Sequence, residues 1–376
     1  MTQIVAQRLS ALAAESGFDA LVCLSPENVA YAIGFVVPSQ PLMRWRHASV
    51  VFTGDGRSAA LCVDMESATV RARRPDLDVR SWAEFKGSAM ATLAELLVDL
   101  GLKDCRIGTE LKYLSVADFN ELSELLPEAT FVSADALLAK MRQVKTSDEL
   151  ALLERLSCIA DSAIASSFAA VTVGSTEMEL AAALTRSVYE QGAEQFKLMV
   201  VATGERSQLP NVGPTDRVLK LGDVCRVEIF PVINGYHAGV CRTAVVGEPP
   251  PFADEVYDNL VACKQLLLDA IGPGVTASSV YETFLEKFNE LGLPPIPFVG
   301  HGIGVDLHEE PYLALFNEAT LVTGMVLSIE PLVYRTGHGF GMQIKDMVAV
   351  EANGCRLLSN GSNTDTLLRI GCCAKR

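Results

Sequence analysis

Asn234 and Gly235 stand between two apolar segments, and this dipeptide restricts the fold more than any other feature of the chain. Asn-Gly is the strongest short-range signal for a two-residue β-hairpin, because both residues accept the positive φ angles that the turn requires. We therefore predict that strands at 223–233 and 236–246 pair antiparallel across this turn. The second part of the chain should be built around hairpins of this kind.

The same order of elements occurs twice in this second part. Apolar residues at helical spacing predict a pair of helices before the hairpin and another pair after it, at 147–170, 176–191, 253–270 and 276–290. More strands are predicted beyond the second helix pair, at 325–334, 342–351 and 355–358. This order indicates an internal duplication that wraps the strands into one curved antiparallel sheet, with the helices outside it.

The first third of the chain differs, because short apolar strands alternate there with helical segments such as 2–15. The whole chain has 376 residues, which is more than one hydrophobic core usually supports, so two domains are expected. Thr146 and Glu149 have capping-box spacing before a long helix and mark the transition. We predict a mixed α/β (α+β) protein with an α/β domain at 1–143 and a larger catalytic domain at 144–376.

The composition of the chain restricts the kinds of molecule that the protein is expected to bind. The net charge of -15 disfavours nucleic acid and anionic membrane surfaces, which would repel most of the protein. No apolar run reaches the roughly 18 residues of a membrane span, and no leader-like segment opens the sequence. We expect a cytoplasmic protein with a small-molecule substrate. The mean hydropathy of +0.25 favours buried subunit contacts, and we expect a homodimer.

The side chains suited to catalysis concentrate in two segments of the predicted catalytic domain. His301 and His308 are separated by a glycine-rich turn, and Glu330 precedes Pro331 on the next apolar strand. Imidazole and carboxylate groups together are suited to proton transfer near neutral pH. These segments are the candidate active site.

The two segments, together with the Gly-Asp, Gly-Tyr and Arg-Thr pairs that begin at Gly222, Gly235 and Arg242, resemble the creatinase, prolidase and methionine aminopeptidase superfamily. The resemblance covers nearly the whole chain. It implies a pita-bread catalytic domain behind a smaller creatinase-like N-terminal domain. In most members, two metal ions are held by five ligands in the order Asp, Asp, His, Glu, Glu.

Three of the five matching positions carry different chemistry in this chain. The ligand positions fall on Glu228, Gly239, His301, Glu330 and Lys345. Gly239 deletes a carboxylate and leaves room in its place, and Lys345 replaces a carboxylate by an ammonium group. An ammonium about 4 Å from a divalent ion costs several kcal/mol even at an effective dielectric near 20. We predict no metal and no other cofactor, with a single ion on His301, Glu330 and Glu228 as the alternative.

Creatinase is the superfamily member that works without metal, and the Phe230-Pro231 pair is similar to its sequence. Arg46 resembles the N-domain arginine with which creatinase reaches into the neighbouring subunit's site. Other creatinase positions are changed, and the chain has Asn211, His237, Cys241 and Tyr312 where creatinase has His, Tyr, Glu and Arg. Creatine itself is therefore not the expected substrate.

These observations assign candidate roles. The predicted catalytic residues are His301, His308, Glu330 and Lys345, and the predicted substrate-binding residues are Glu228, His237, Cys241, Arg46, Tyr312 and Phe230. A buried structural salt bridge is the alternative for Glu228 and Lys345, and a core thiol is the alternative for Cys241.

The predicted function is a metal-independent, creatinase-like hydrolase that cleaves a C–N bond in a guanidino, amidine or cyclic amide compound. Two alternatives stay open. One is an Xaa-Pro aminopeptidase or prolidase-like metallopeptidase with a reduced single-metal site, and the other is a non-catalytic peptidase-like binding protein.

Overall fold

The structure is a computed structural model that describes residues 2–371. It divides into two compact units, Met1–Met141 and Arg142–Arg376. Within the described residues, no helix combines the length and the apolar character that crossing a bilayer requires.

The first unit is built on a six-stranded mixed sheet with helices packed against it. Its elements are α1 (Thr2–Glu15), β1 (Ala20–Cys23), α2 (Pro26–Ile33), β2 (Ser49–Thr53), β3 (Ser58–Val63), α3 (Ser67–Arg73), β4 (Asp78–Trp82), α4 (Ala89–Asp99), β5 (Arg106–Thr109), α5 (Val116–Leu125), β6 (Thr130–Ser133) and α6 (Asp135–Gln143). The strand order is β4-β3-β2-β1-β5-β6. Central β1 pairs antiparallel with β2 and parallel with β5.

The second unit contains two helix pairs, two five-stranded sheets and one two-stranded ribbon. Its elements are α7 (Ser147–Ala170), α8 (Glu177–Glu190), β7 (Gln195–Thr203), β8 (Val224–Ile233), β9 (Tyr236–His237), β10 (Val240–Val246), α9 (Ala253–Ala270), α10 (Ala277–Glu290), β11 (Gly300–Gly302), β12 (Glu309–Tyr312), β13 (Val326–Ile329), β14 (Leu332–Val333), β15 (Met342–Gln343), β16 (Asp346–Glu351), β17 (Gly354–Leu357) and β18 (Leu368–Ile370). A mixed α/β protein with antiparallel pairing in its C-terminal part is thereby confirmed.

Local sequence signals explain where these elements begin and turn. Asn234 and Gly235 have φ angles of 53° and 84°, so the predicted two-residue hairpin between β8 and β9 is confirmed. The side chain of Thr146 accepts a hydrogen bond from the Glu149 backbone while Glu149 caps Thr146 in return, which starts α7 as predicted. Thr176 starts α8 in the same way.

The strands of the second unit form two five-stranded sheets and one short ribbon. The first sheet has the order β18-β10-β8-β7, with β9 on β8, and the second has the order β12-β11-β13-β16-β17. Cys241 and Lys345 join them, because the backbone N–H of each residue donates to the other's carbonyl at 3.1 Å. The single curved sheet that the sequence predicts is thus two sheets with one bridge between them.

The segment predicted as 236–246 separates into β9 and β10, and two further predicted strands are broken at candidate site residues. The segment predicted as 325–334 separates into β13 and β14 around Glu330 and Pro331. The segment predicted as 342–351 separates into β15 and β16 around Ile344 and Lys345. Each break interrupts the regular alternation of side chains and turns a charged residue towards the same cavity.

Candidate active site

A lysine between two glutamates forms the centre of the site. The Nζ of Lys345 lies 3.0 Å from Oε1 of Glu228 and 3.0 Å from Oε2 of Glu330. Glu228 is on β8 directly opposite Cys241 on β10, and Cys241 bridges to Lys345, which explains why the two side chains meet. We call Glu228, Lys345 and Glu330 the cavity cluster.

Gln343 and Arg226 support this cluster from one side. The Nε2 of Gln343 donates to Oε2 of Glu330 at 3.1 Å, and its Oε1 accepts from Nη1 of Arg226 at 3.1 Å. Arg226 is fully buried, and the carbonyl oxygens of Leu209 and Pro210 accept from its Nη2. Because every group in this chain of contacts has a partner, the Glu330 carboxylate is held in one orientation.

The cavity cluster contains two carboxylates and one ammonium group. This imbalance of charge contributes to the pKa shifts of Lys345 and Glu330. Burial alone would lower the pKa of Lys345, but Glu228 and Glu330 reverse the effect and raise it well above its usual range. Burial raises the pKa of Glu330, and Glu228 adds to this while Lys345 opposes it. The lysine therefore stays cationic, and Glu330 is the group that takes up a proton more readily than an ordinary carboxylate.

His301 and His308 stack on each other beside the cluster. Their ring centroids are 3.6 Å apart and their planes are inclined by 11°. The Nδ1 of His301 lies 2.8 Å from the Gly302 carbonyl, which only accepts, so Nδ1 carries the hydrogen. The Nε2 of His301 is buried without a hydrogen-bond partner among residues 2–371, and it lies 3.8 Å from Oε1 of Glu330. A lone pair therefore faces the carboxylate.

The glycines that flank His301 have a packing role. A Cβ added at Gly300 would lie 2.7 Å from the Ser328 carbonyl oxygen. One added at Gly302 would lie 2.4 Å from the Glu310 carbonyl oxygen. Only glycine allows β11 to approach both neighbouring strands this closely. The glycine-rich segment is required by backbone packing, whatever chemistry His301 performs.

Both stacked histidines are neutral at physiological pH. Burial, Lys345 and His308 lower the pKa of His301 well below its usual value. Burial and Lys345 also lower the pKa of His308, to about 4, although its outer edge reaches solvent. The Tyr312 Oη lies 3.3 Å from Nδ1 of His308 and fixes the ring. Nε2 of His308 is left for another partner.

Buried ion pairs anchor the loop that carries His308. The Nζ of Lys145 lies 2.6 Å from Oε2 of Glu309, and Nε of Arg142 lies 3.3 Å from Oε1 of the same carboxylate. The Gly304 carbonyl also accepts from the backbone N–H of His237 at 2.8 Å and from its Nδ1 at 3.2 Å. The loop is thus held on both sides of its ring-bearing residue.

The cavity cluster and His308 line one cavity of about 320 Å³, which we call the site cavity. This is near the lower end of the about 300–1,000 Å³ typical of small-molecule sites. The remaining lining residues are Leu198, Asn211, Phe230, Ile296, Pro297, Phe298, Leu307, Leu332, Tyr334 and Gln343. The walls are thus mainly apolar, with the charges concentrated at one end.

The structure brings together some of the predicted site residues and separates others. Glu228, Phe230, His308, Glu330 and Lys345 line the site cavity, and His301 and Tyr312 contact His308. His237 and Cys241 are buried and do not contribute to the lining of this cavity. Arg46 belongs to the first unit, where its Nε lies 2.7 Å from Glu84.

Burial also determines the reactivity of two of these residues. It raises the pKa of the Cys241 thiol well above its usual range, which keeps the sulfur protonated and unreactive. It lowers the pKa of His237 to about 4, so that this ring is a neutral donor to the Gly304 carbonyl.

Sequence reasoning assigned no role to several residues that line the cavity, among them Gln343, Phe298 and Tyr334. Gln343 precedes Lys345 by two positions, and this strand spacing was an available signal. Phe298 and Tyr334 come from irregular segments, and no pattern in the sequence marks them as neighbours of His308, whereas Asn211 occupies the position of a creatinase histidine and does line the cavity.

Comparison with known proteins identifies the family. Residues 6–144 match the creatinase/prolidase N-terminal domain, and residues 151–352 match metallopeptidase family M24. The chain belongs to family M24. The predicted creatinase/prolidase superfamily with a pita-bread domain is confirmed by these matches.

Relatives in family M24 carry the names of peptidases. The chain is 31% identical to an Xaa-Pro dipeptidase from Pyrococcus furiosus over 66% of this chain and 71% of the relative. It is 30% identical to a protein from Mycobacterium bovis named probable dipeptidase PepE, over 95% of each chain.

Solved structures agree with the M24 assignment. An X-Pro aminopeptidase from Thermotoga maritima has a TM-score of 0.84 and 25% identity, with 97% of this chain and 99% of that chain covered. Dipeptidase PepE from Mycobacterium ulcerans has a TM-score of 0.83 and 27% identity, with 98% and 99% covered.

These findings overturn the function predicted from the sequence. The interpretation as a metal-independent, creatinase-like hydrolase of guanidino, amidine or cyclic amide compounds is wrong, because the relatives are dipeptidases and the family is one of metallopeptidases. A hydrolase is supported, and these relatives carry the names of peptidases. The substitutions at the ligand positions had been interpreted as a change of substrate, which they do not establish.

The family name implies a bound metal, and the side chains of this site do not fit a two-metal centre. Lys345 places an ammonium between the two glutamates. A Cβ added at Gly239 would lie 2.3 Å from Cε1 of Phe230, so this ring fills the space that the sequence analysis took to be free. In the described part of the chain, no group of three or more His, Cys, Asp or Glu side chains is arranged to hold a metal ion.

Proposed function

We propose that this protein hydrolyses the C–N bond of short peptides, with Xaa-Pro dipeptides as the substrate class. The observation that carries the proposal is the convergence of neutral His308, Lys345 and Glu330 on one cavity of about 320 Å³. The names of the relatives support the same bond type. A volume near the lower end of the ligand-site range suits a substrate of about two residues.

Charge and shape give the substrate an orientation. The cavity cluster carries one net negative charge when its three groups are ionised, so it attracts the α-ammonium group of a peptide. Phe298, Leu332 and Tyr334 provide apolar walls in the same cavity. A proline ring is apolar and rigid, and it loses little conformational entropy when it binds there. The N-terminal end of the substrate is therefore placed at the glutamates.

The proposed chemistry uses groups that are already in the required protonation states. His308 accepts a proton from the attacking water while Tyr312 holds its Nδ1. The water oxygen bonds to the carbonyl carbon, and the ammonium of Lys345 stabilises the negative charge that develops on the carbonyl oxygen. The C–N bond then breaks, and the proton passes to the leaving nitrogen. Glu330, with its raised pKa, assists this second transfer.

We infer that the protein acts as a homodimer in the cytoplasm. Leu42, Trp45 and Phe85 of the first unit are 79%, 63% and 91% exposed, and a second copy would cover such apolar side chains. Seven cysteines within residues 2–371 are free thiols, which suits a reducing compartment: Cys62, Cys105, Cys158, Cys225, Cys241, Cys263 and Cys355. Sedimentation equilibrium tests the dimer, and Phe85→Ser should weaken it; a concentration-independent monomer contradicts it.

The test of the proposed activity is amine release from Ala-Pro and Gly-Pro, with Ala-Ala and guanidino compounds as comparisons. The assay is run in parallel with a chelator and with added Mn²⁺. We expect hydrolysis of the Xaa-Pro dipeptides and its loss in His308→Ala. The matched control is His338→Ala, since His338 is an exposed histidine that does not line the site cavity. Absence of peptide hydrolysis under both conditions would rule out the proposal.

A further inference from the structure

A second cavity of about 600 Å³ adjoins the site cavity. Ile296 and Tyr334 line both cavities, so the two spaces share a wall. The two residues of β14 face different cavities, since successive side chains of a strand point to opposite sides. Leu332 lines the site cavity and Val333 lines the second cavity. The second cavity therefore lies directly beside the candidate active site.

The shared wall is held in place by a buried arginine. The guanidinium of Arg226 lies 5.0 Å from the centre of the Tyr334 ring, a cation–π arrangement. The carbonyl oxygens of Leu209 and Pro210, which belong to the lining of the second cavity, accept from the same guanidinium. Arg226 also donates to Gln343 of the site cavity at 3.1 Å. One fully buried side chain thus positions both cavities relative to each other.

Three charged side chains line the second cavity, and one of them, an arginine, is available to bind a ligand. Glu205 is paired with Arg217 at 2.7 Å. Arg206 donates to the Gly213 carbonyl at 2.7 Å and lies 3.4 Å from Glu177. Exposed Arg335 has no hydrogen-bond or ion-pair partner in the part of the chain that the structure describes. A guanidinium in this situation is suited to a carboxylate, which it binds through two parallel hydrogen bonds.

We propose that the second cavity binds the C-terminal part of peptides longer than two residues, with their terminal carboxylate at Arg335. The inference rests on the proposed function and extends its substrate class from dipeptides to short oligopeptides. The two cavities have opposite polarity, since the cavity cluster carries net negative charge and the second cavity offers a free guanidinium. This polarity matches a peptide that enters with its ammonium group at Glu228 and Glu330 and its carboxylate at Arg335.

The test compares kcat/KM for Gly-Pro, Gly-Pro-Ala and Gly-Pro-Ala-Ala, and for the longest peptide with its C-terminus amidated. We expect the longer acids to exceed the dipeptide by about five- to tenfold and amidation to lower kcat/KM by about fivefold, as for a single charge-assisted contact near solvent. In Arg335→Gln the ratio of acid to amide should fall to about one. A merely structural role of Arg335 would lower both rates equally and leave this ratio unchanged.

The matched control is Arg369→Gln, which removes an exposed arginine paired with Asp254 away from both cavities. It should keep the full preference for the free carboxylate. Hydrolysis of dipeptides alone, or an acid-to-amide ratio that Arg335→Gln does not change, overturns the second subsite and leaves the proposed function standing. Failure to hydrolyse any peptide overturns both.

Discussion

Two neighbouring buried clusters of the second unit each have one cation between two carboxylates, and they differ in what surrounds them. In the cavity cluster, Lys345 lies 3.0 Å from each of its glutamates. In a second group, which we call the enclosed cluster, Arg242 lies 2.9 Å from Asp161 and 2.8 Å from Asp346. The formal charges are the same, and the clusters are neighbours because Lys345 precedes Asp346 in the chain.

The cavity cluster and the enclosed cluster differ in their access to solvent. All three side chains of the enclosed cluster are at most 1% exposed, and Arg242 also donates to the carbonyl oxygens of Cys241 at 3.0 Å and Lys345 at 2.8 Å. The cavity cluster lines a cavity, so its carboxylates can exchange a contact with a substrate. The comparison teaches that a buried ion triplet has a structural role when closed and becomes available for chemistry when one side is open.

The largest expected effect comes from breaking the enclosed cluster. Arg242→Met leaves two buried carboxylates without a counter-charge and should lower the free energy of unfolding by about 3–5 kcal/mol. Guanidinium denaturation followed by circular dichroism measures this. Lys345→Met should cost clearly less, because water in the site cavity can solvate Glu228 and Glu330. Equal losses in the two variants would remove the distinction between the clusters.

The next prediction concerns catalytic activity, which should depend on the cavity cluster. Lys345→Met should lower kcat/KM for Xaa-Pro dipeptides by about 100-fold, as the loss of one electrostatic stabiliser does elsewhere. Lys264→Met is the matched control, since Lys264 is a buried lysine that bonds Thr364 outside the cavity. Steady-state kinetics on both variants decides the question. A similar loss in the control would assign the Lys345 effect to general destabilisation.

Gly239 provides a graded way to disturb the open side of the cavity cluster. Gly239→Ala adds a Cβ that would lie 2.3 Å from the Phe230 ring, whose centre is 4.7 Å from Nζ of Lys345. The ring must shift, and overpacking of this kind should cost about 1–3 kcal/mol of stability. Thermal denaturation measures the cost, and Phe230→Leu in the same chain should recover part of it. An unchanged melting temperature would show that the ring has room to move.

The smallest effect is a pH dependence of stability that arises at His237, which is buried against the loop that carries His308. His237 has its pKa lowered from 6.5 to about 4, so the unfolded chain binds the extra proton between these values. The stability that this neutral ring contributes is present above pH 6.5 and is lost as the pH falls towards 4. The slope should reach at most about 1.4 kcal/mol per pH unit.

Urea denaturation at pH 7, 6 and 5 measures this slope. His237→Asn keeps an N–H donor for the Gly304 carbonyl but does not titrate, so it should flatten the dependence. A slope that the substitution leaves unchanged would point to His301 or His308 as its source.

Short-range signals predicted much of the fold. The Asn234-Gly235 turn and the Thr146 capping box depend on a few adjacent residues, and both were predicted correctly. Helix α2 was not predicted, although Ser25 caps it and Gly34 ends it with a φ of 83°. Its eight residues are too few for a periodic pattern to be distinctive. The breaks at Glu330 and Lys345 also escaped prediction, because they arise where two sheets meet.

The site could be predicted only in part. Glu330 and Lys345 were found because the family pattern fixes their positions along the chain, and their mutual contact follows from the register of the strands on either side of them. The space at Gly239 was misjudged, since the sequence does not show which way the Phe230 ring turns. The walls formed by Phe298 and Tyr334 come from distant irregular segments and leave no local signal.

The bridge between Cys241 and Lys345 has a consequence for how this site can change over time. Two main-chain hydrogen bonds hold the backbone at Lys345, and the Arg242 guanidinium binds its carbonyl oxygen, so no side-chain atom of residue 345 is needed to fix its place. The path of the backbone at this position therefore does not depend on which side chain residue 345 carries. A substitution at residue 345 therefore changes the charge inside the cavity while the main-chain hydrogen bonds that position this residue stay available.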